Sequence, residues 1–137
     1  MSTLTMKAVA AYFDSKDLKY TYNDEKNFIR LGMNIDIKGS MEILLIFDDD
    51  RTMALKSYNY LSFPEDKKQL MYAVCSKVNA DYRWVKFYVD ESDNTITVED
   101  DAVLDISSAG DEAFELCLRM FDIGQKAYTT FMKALLA

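Results

Sequence analysis

The chain has 137 residues, half of them apolar and 13% aromatic, with 16 basic against 23 acidic side chains and a formal net charge of −7. That length supports one hydrophobic core, so residues 1–137 are read as a single domain, and the apolar and aromatic content excludes a disordered chain. The negative balance repels phosphate backbones and anionic lipid surfaces, which sets aside nucleic acid and membrane as partners.

Lys67-Lys68 is the only adjacent basic pair, and because it follows Glu65-Asp66 it reads as a solvated helix face. The opening residues Met1 to Lys7 lack a charged lead followed by an apolar run, so no signal peptide is expected. No apolar stretch approaches the ~20 residues that span a bilayer. A cytoplasmic location follows as the default.

In chain order, Leu4, Val9, Ala10, Tyr12 and Phe13 approximate a 3.6-residue stripe. They predict a helix ending near Asp17, with Ser2 or Thr3 able to accept its free N–H groups. Leu18, Tyr20 and Tyr22 alternate with polar residues as a short edge strand would. Ile29, Leu31, Met33, Ile35 and Ile37 then alternate with Arg30, Gly32, Asn34, Asp36 and Lys38, the pattern of a half-buried strand. Lys38-Gly39-Ser40 predicts a short turn into a second strand carrying Met41, Ile43, Leu45 and Phe47. Asp48 to Arg51 turns the chain into a third, from Met53 to Tyr60.

Ser62-Phe63-Pro64-Glu65 has the form of a capping box opening a second helix. Leu70, Met71, Val74, Cys75 and Val78 supply its buried stripe, and Asn79 is the expected terminator. Val85, Phe87 and Val89, alternating with Trp84, Lys86 and Tyr88, predict a fourth strand. Glu91 to Asn94 turns it into a fifth at Thr95 to Val98. From about Ser108 a long helix buries Phe114, Cys117, Met120, Phe121, Gly124, Tyr128, Phe131 and Leu135, with Asp111 and Glu112 at the positive end of its dipole. The fold class is therefore α+β, in the order α-β-β-β-α-β-β-α plus the edge strand: a three-strand meander and a hairpin in an antiparallel sheet with helices packed on it.

Chemistry is limited by the absence of histidine, which removes the commonest general base, the Ser-His and Cys-His nucleophile pairs and the commonest zinc ligand. No Gly-rich phosphate loop or nucleophile elbow occurs. Cys75 and Cys117 stand far apart among apolar residues, which fits buried thiols, with a disulfide as the alternative. No enzyme, cofactor or metal is expected. Asp48-Asp49-Asp50 reads as a solvated turn or as a collector of a hard cation. Asp90, Ser92, Asn94 and Asp101 imitate a calcium loop, but Thr95 stands where its glycine belongs and strands replace its flanking helices. A carboxylate enzyme or cation-dependent binder, the rival reading, predicts a pocket where two or more of Asp48, Asp49, Asp50, Asp90 and Asp101 converge.

The surplus is apolar. Leu44 and Ile46 point opposite to Ile43, Leu45 and Phe47, and Trp84 and Tyr88 stand opposite the core face of the fourth strand. With Tyr58 they define a candidate partner-binding surface, unless a helix of the same chain covers it. Leu116, Leu118 and Ile123 widen the apolar arc of the last helix, through core packing or a dimer contact.

The order of elements, Phe63-Pro64-Glu65 opening the central helix, Val78-Asn79 ending it, and Arg83 to Asp90 followed by Asn94 to Val98 resemble the YbjN family. Its members are labelled regulators of bacterial sensory transduction. The resemblance covers nearly the whole chain and rests mostly on apolar spacing. It implies a fold like that of type III secretion chaperones, small acidic dimers that hold a client segment, and it supplies no catalytic residue. The expectation is a non-enzymatic bacterial interaction domain, a regulator or chaperone-like binder of a protein client or of a second copy as a homodimer. The short connections and the end at Ala137 suggest no separate effector module.

Overall fold

The computed structural model describes residues 2–35 and 39–137. Ile37 and Lys38, expected in the first meander strand and its turn, lie outside the described residues. Helix α1 (Leu4–Ser15) is followed by strands β1 (Tyr20–Asn23), β2 (Phe28–Ile35), β3 (Gly39–Phe47) and β4 (Thr52–Ser62). Helix α2 (Lys68–Asp81), the hairpin β5 (Lys86–Asp90) and β6 (Thr95–Val103), and helix α3 (Ala109–Leu136) complete the order. The strands form one antiparallel sheet, β1-β2-β3-β4-β6-β5. The chain is thus α+β, and the edge strand at Tyr20 is present.

Helix α1 begins where Thr3 Oγ1 accepts the Met6 N–H at 3.0 Å and the Asp50 carboxylate accepts the Leu4 N–H at 2.7 Å. Two of the N–H groups that an α-helix leaves free are satisfied this way. It ends two residues before Asp17, which adopts φ +56° while the Leu18 N–H bonds Phe13 O and the Asp17 N–H bonds Asp14 O. That pair of bonds is a Schellman termination with aspartate at the left-handed position. The buried stripe is Met6, Val9, Ala10 and Phe13 rather than one including Leu4, which is exposed. Spacing decides this: Met6 keeps the i, i+3, i+4, i+7 phase and Leu4 breaks it.

One sheet face, the inner, carries Ile29, Leu31, Ile43, Leu45, Leu55, Val98 and Phe87 into a single core with the buried stripes of all three helices. Met33 lies in the same phase of β2 but is exposed. In α2 the stripe is Met71, Val74, Cys75 and Val78, and Leu70, outside that phase, is exposed. Helix α3 approaches closely at two glycines. A Cβ on Gly110 would stand 2.4 Å from Tyr12 Cβ, and one on Gly124 would stand 2.9 Å from Met41 Sδ. Tyr60, buried among Phe87, Tyr128 and Phe131, donates its hydroxyl to the Gly124 carbonyl. The added apolar width of α3 divides, with Ile123 buried, Leu116 partly buried and Leu118 exposed.

Three local expectations are corrected. The capping box does not form, because Ser62 is still paired with Thr95 as the end of β4. Pro64 opens a 3₁₀ turn (Glu65–Lys67) without a side-chain cap, and Glu65 instead meets Lys68 at 3.1 Å and Asn94 at 3.0 Å. Asn79 does not end α2, which continues to Asp81. Strand β6 runs five residues beyond Val98, because Glu99 to Val103 remain in register with Lys56 to Thr52.

Candidate functional site

The register gathers four of the five expected surface residues. Arg30, Leu44, Lys56, Glu99 and Lys86 lie in one row across β2, β3, β4, β6 and β5, and Phe28, Ile46, Ala54 and Asp101 lie in the next. All face away from the core, on the outer side of the sheet, where no helix stripe packs. Tyr58 and Tyr88 stand on the same side, 50% and 40% exposed, while Leu44 and Ile46 are half-buried among their neighbours.

The polar residues of this face form pairs. Arg30 Nε lies 3.1 Å from Glu42, Lys56 Nζ lies 3.5 Å from Glu99, and the Tyr88 hydroxyl donates to Glu99 at 2.8 Å. Burial, and then the Glu99 carboxylate, push Tyr88 above the ordinary phenol range. Lys56 also sits 5.9 Å from the Tyr58 ring. Partial burial opposes its charge, but Glu99 and Tyr58 outweigh that and raise it. The outer face is therefore a mixed surface, with two exposed tyrosines beside paired charges and an aliphatic floor.

Trp84 is not part of it. It precedes β5, adopts φ +72°, and its ring lies 5.3 Å from the Arg119 guanidinium of α3. It is 59% exposed at the side of the sheet. Beyond it, β5 is an edge strand whose backbone is closed by α2: the Phe87 N–H donates to Asn79 Oδ1 at 2.7 Å and Asn79 Nδ2 donates to Phe87 O at 2.9 Å. Lys86 Nζ donates to the Asn79 and Tyr82 carbonyls at the end of α2, where a cation suits the helix dipole.

The expected carboxylates mostly diverge. Asp49 accepts from the Arg51 and Thr52 backbone and the Thr52 hydroxyl, bonds that hold its carboxyl below the ordinary range. Asp50 caps α1. Asp90 is lowered by bonds from the hydroxyl and N–H of Ser92, and Asn94 reaches Glu65. Asp101 stands near the far end of β6 from Asn94, so the calcium-loop spacing is not a loop in space. Only Asp48 and Asp101 share a shallow cleft, of about 420 Å³, with Met53, Ala54 and Ala102 in its walls. Asp101 is raised by burial and by Glu99. Among the described residues no three acidic or thiol groups stand where they could hold a metal ion. Cys75 and Cys117 are free and buried, and burial pushes both thiols up to about 12, far from nucleophilic use near neutrality.

Two residues that pattern reading passed over matter here. Asn79 was legible only as a helix stop. Asp100 occupies the core phase of Ile96 and Val98, so a carboxylate at that step of the alternation was the signal.

No curated protein matches the chain. The crystal structure of YbjN from E. coli, titled a "putative transcription regulator", shares the fold with a TM-score of 0.64 at 13% identity, covering 91% of this chain and 92% of that one. Residues 5–137 match the family described as "YbjN: Putative bacterial sensory transduction regulator". With nearly its whole length matched, the chain belongs to the YbjN family.

Proposed function

We propose that this protein is a non-enzymatic interaction domain of the bacterial cytoplasm, a regulator or chaperone-like binder that holds a protein client on the outer face of its sheet. The observation that carries the reading is the pair Tyr58 and Tyr88, exposed beside half-buried Leu44 and Ile46 on a face that no helix among the described residues covers. Tyrosine contributes large, rigid contact area and a polar tip, which suits it to the centre of a protein contact. The paired charges around it keep the unbound face soluble and discriminate among partners. The family's description as a regulator supports a role without chemistry, and no helix among the described residues is long and apolar enough to cross a membrane.

The test is affinity capture from the native cell by the wild-type chain and by the Tyr58→Ala, Tyr88→Ala double variant, with light scattering of both over a dilution series. Loss of a specific captured protein in the double variant is the expected result. A lower mass for the double variant at equal concentration would identify the occupant as a second copy. Capture and mass both indifferent to the two tyrosines would refute the assignment of this face.

A further inference from the structure

Strand β6 is longer than the strand beside it. Strand β5 pairs with Thr95 to Glu99 only, and at Trp84 the chain turns away: φ becomes positive and the Val85 N–H bonds back to Arg83 O at 2.8 Å. Asp100 to Val103 keep β4 on one side and, among the described residues, have no strand on the other. The direction of their backbone groups follows from alternation. The Leu104 N–H bonds Arg51 O, on the β4 side, so the groups of Asp100 and Ala102 also face β4 and those of Asp101 and Val103 face outward. Val103 is 70% exposed. A left-handed bulky residue is uncommon and here ends the protection of an edge.

This open edge forms one wall of a cleft of about 470 Å³, with Trp84 at one end and α3 opposite. The acidic residues Asp100, Asp111, Glu112 and Glu115 line the cleft against the single cation Arg119, and Asp101, whose side chain faces the outer side of the sheet, also borders it. Asp100 is decisive. It is only 6% exposed, and its Oδ2 has no hydrogen-bond partner among the described residues. A buried carboxylate oxygen without a donor is costly, and a donor that enters the cleft would relieve that cost.

We propose that this cleft receives an extended, basic segment of a protein partner, which adds to the sheet as a strand beside Asp100 to Val103 and directs a lysine or arginine to Asp100. The outward groups of Asp101 and Val103 supply main-chain pairing, the mode by which edge strands bind peptides, with the Asp101 N–H shared with the Asp100 carboxylate beside it. The acidic lining selects the sign of the segment, and Trp84 covers its stem. The site is separate from the outer face, so neither reading rests on the other.

Trp84 is the only tryptophan, and its emission therefore reports the cleft directly. The probe is a capped eight-residue peptide alternating lysine with threonine, with a glutamate–threonine peptide of the same length beside it. Expected are a saturable shift of Trp84 emission with the lysine peptide alone, and slowed hydrogen exchange at the Asp101 and Val103 amides. Asp100→Asn, nearly isosteric, should weaken binding about tenfold through loss of a charged hydrogen bond. Val103→Pro removes only an outward N–H and should abolish binding. Glu25→Gln, in the turn at the opposite edge of the sheet, and the Tyr58→Ala, Tyr88→Ala pair should bind as wild type. The proposal is overturned by no saturable shift, by equal binding of the glutamate peptide, by binding without protection of the two amides, or by full affinity in Asp100→Asn. Circular dichroism checks each variant's fold, and the Asp100→Asn result decides even where Val103→Pro unfolds.

Discussion

Strand β5 and the end of β6 lie on the same side of one sheet, yet their backbones are treated in opposite ways. At Phe87 both outward groups are taken by one side chain, Asn79, and the end of α2 is fixed there by Lys86. One turn of chain away, Asp101 and Val103 present the same kinds of group with no strand beside them. The contrast shows that edge protection here is built residue by residue, by a helix carrying an amide at the right height, and that it stops where Trp84 leaves the sheet.

The largest expected effect comes from removing the protection. Asn79→Ala leaves the Phe87 N–H and C=O without protein partners at a part-buried edge, and two lost hydrogen bonds of this kind cost about 2 kcal/mol. Thermal or urea unfolding measures the loss, and hydrogen exchange at the Phe87 amide should accelerate toward the rate at Val103. An unchanged midpoint would mean that water satisfies the β5 edge as well as Asn79 does, and the contrast between the two edges would vanish.

The second effect has the opposite sign. Burial raises the Asp100 carboxyl above its ordinary value of 3.8, the neighbouring Asp101 N–H and Arg119 only partly opposing this. The folded state then binds that proton more tightly than the unfolded chain. Its contribution is most favourable below the ordinary carboxylate range and is lost as pH rises through the raised value. At neutral pH the charged, half-satisfied group is a liability, so Asp100→Asn should stabilise the chain, by about 1 kcal/mol. The difference from wild type should shrink below pH 3.8. Equal stability of the two proteins at neutral pH would indicate that Asp100 is already satisfied, which also removes the motive for a cationic guest.

How much of this was legible in the sequence follows from what each feature depends on. The alternation in Ile29 to Ile35 and Met41 to Phe47 specified faces correctly because burial on one side of a strand leaves a period of two. Leu44, Ile46, Tyr58 and Tyr88 came to one face for the same reason. Trp84 did not, since alternation assumes a continuous strand and cannot foresee a left-handed residue that ends it. Ser62-Phe63-Pro64-Glu65 matched a capping box in letters, but pairing of Ser62 with Thr95, 33 positions on, holds the serine in the sheet. Asn79 reads as a helix terminator on local grounds, whereas its partner is the backbone of Phe87. Local patterns gave the elements and their faces. The edge, which arises from strands of unequal length meeting in space, was visible only as a carboxylate at a core step of β6.

The smallest effect separates two causes of the open edge. The Trp84 ring lies 5.3 Å from the Arg119 guanidinium, and the backbone at Trp84 is left-handed with the Val85 N–H bonded to Arg83 O. Either the ring contact holds the chain away from β6 or the backbone turn does so by itself. Arg119→Gln removes the first and leaves the second, at a cost of about 0.5 kcal/mol for a cation over an exposed ring. If the turn is sufficient, the melting temperature barely moves, Trp84 emission becomes more solvent-like, and the Asp101 and Val103 amides exchange as fast as before. If the ring contact is needed, the segment before β5 falls back onto β6 and the same two amides become protected without any peptide. We expect the first result, because a ring contact worth a fraction of a kcal/mol is too weak to hold a tryptophan in a conformation that costs of order 1–3 kcal/mol. The bonded turn and the packing of Val85 in the core are what fix it.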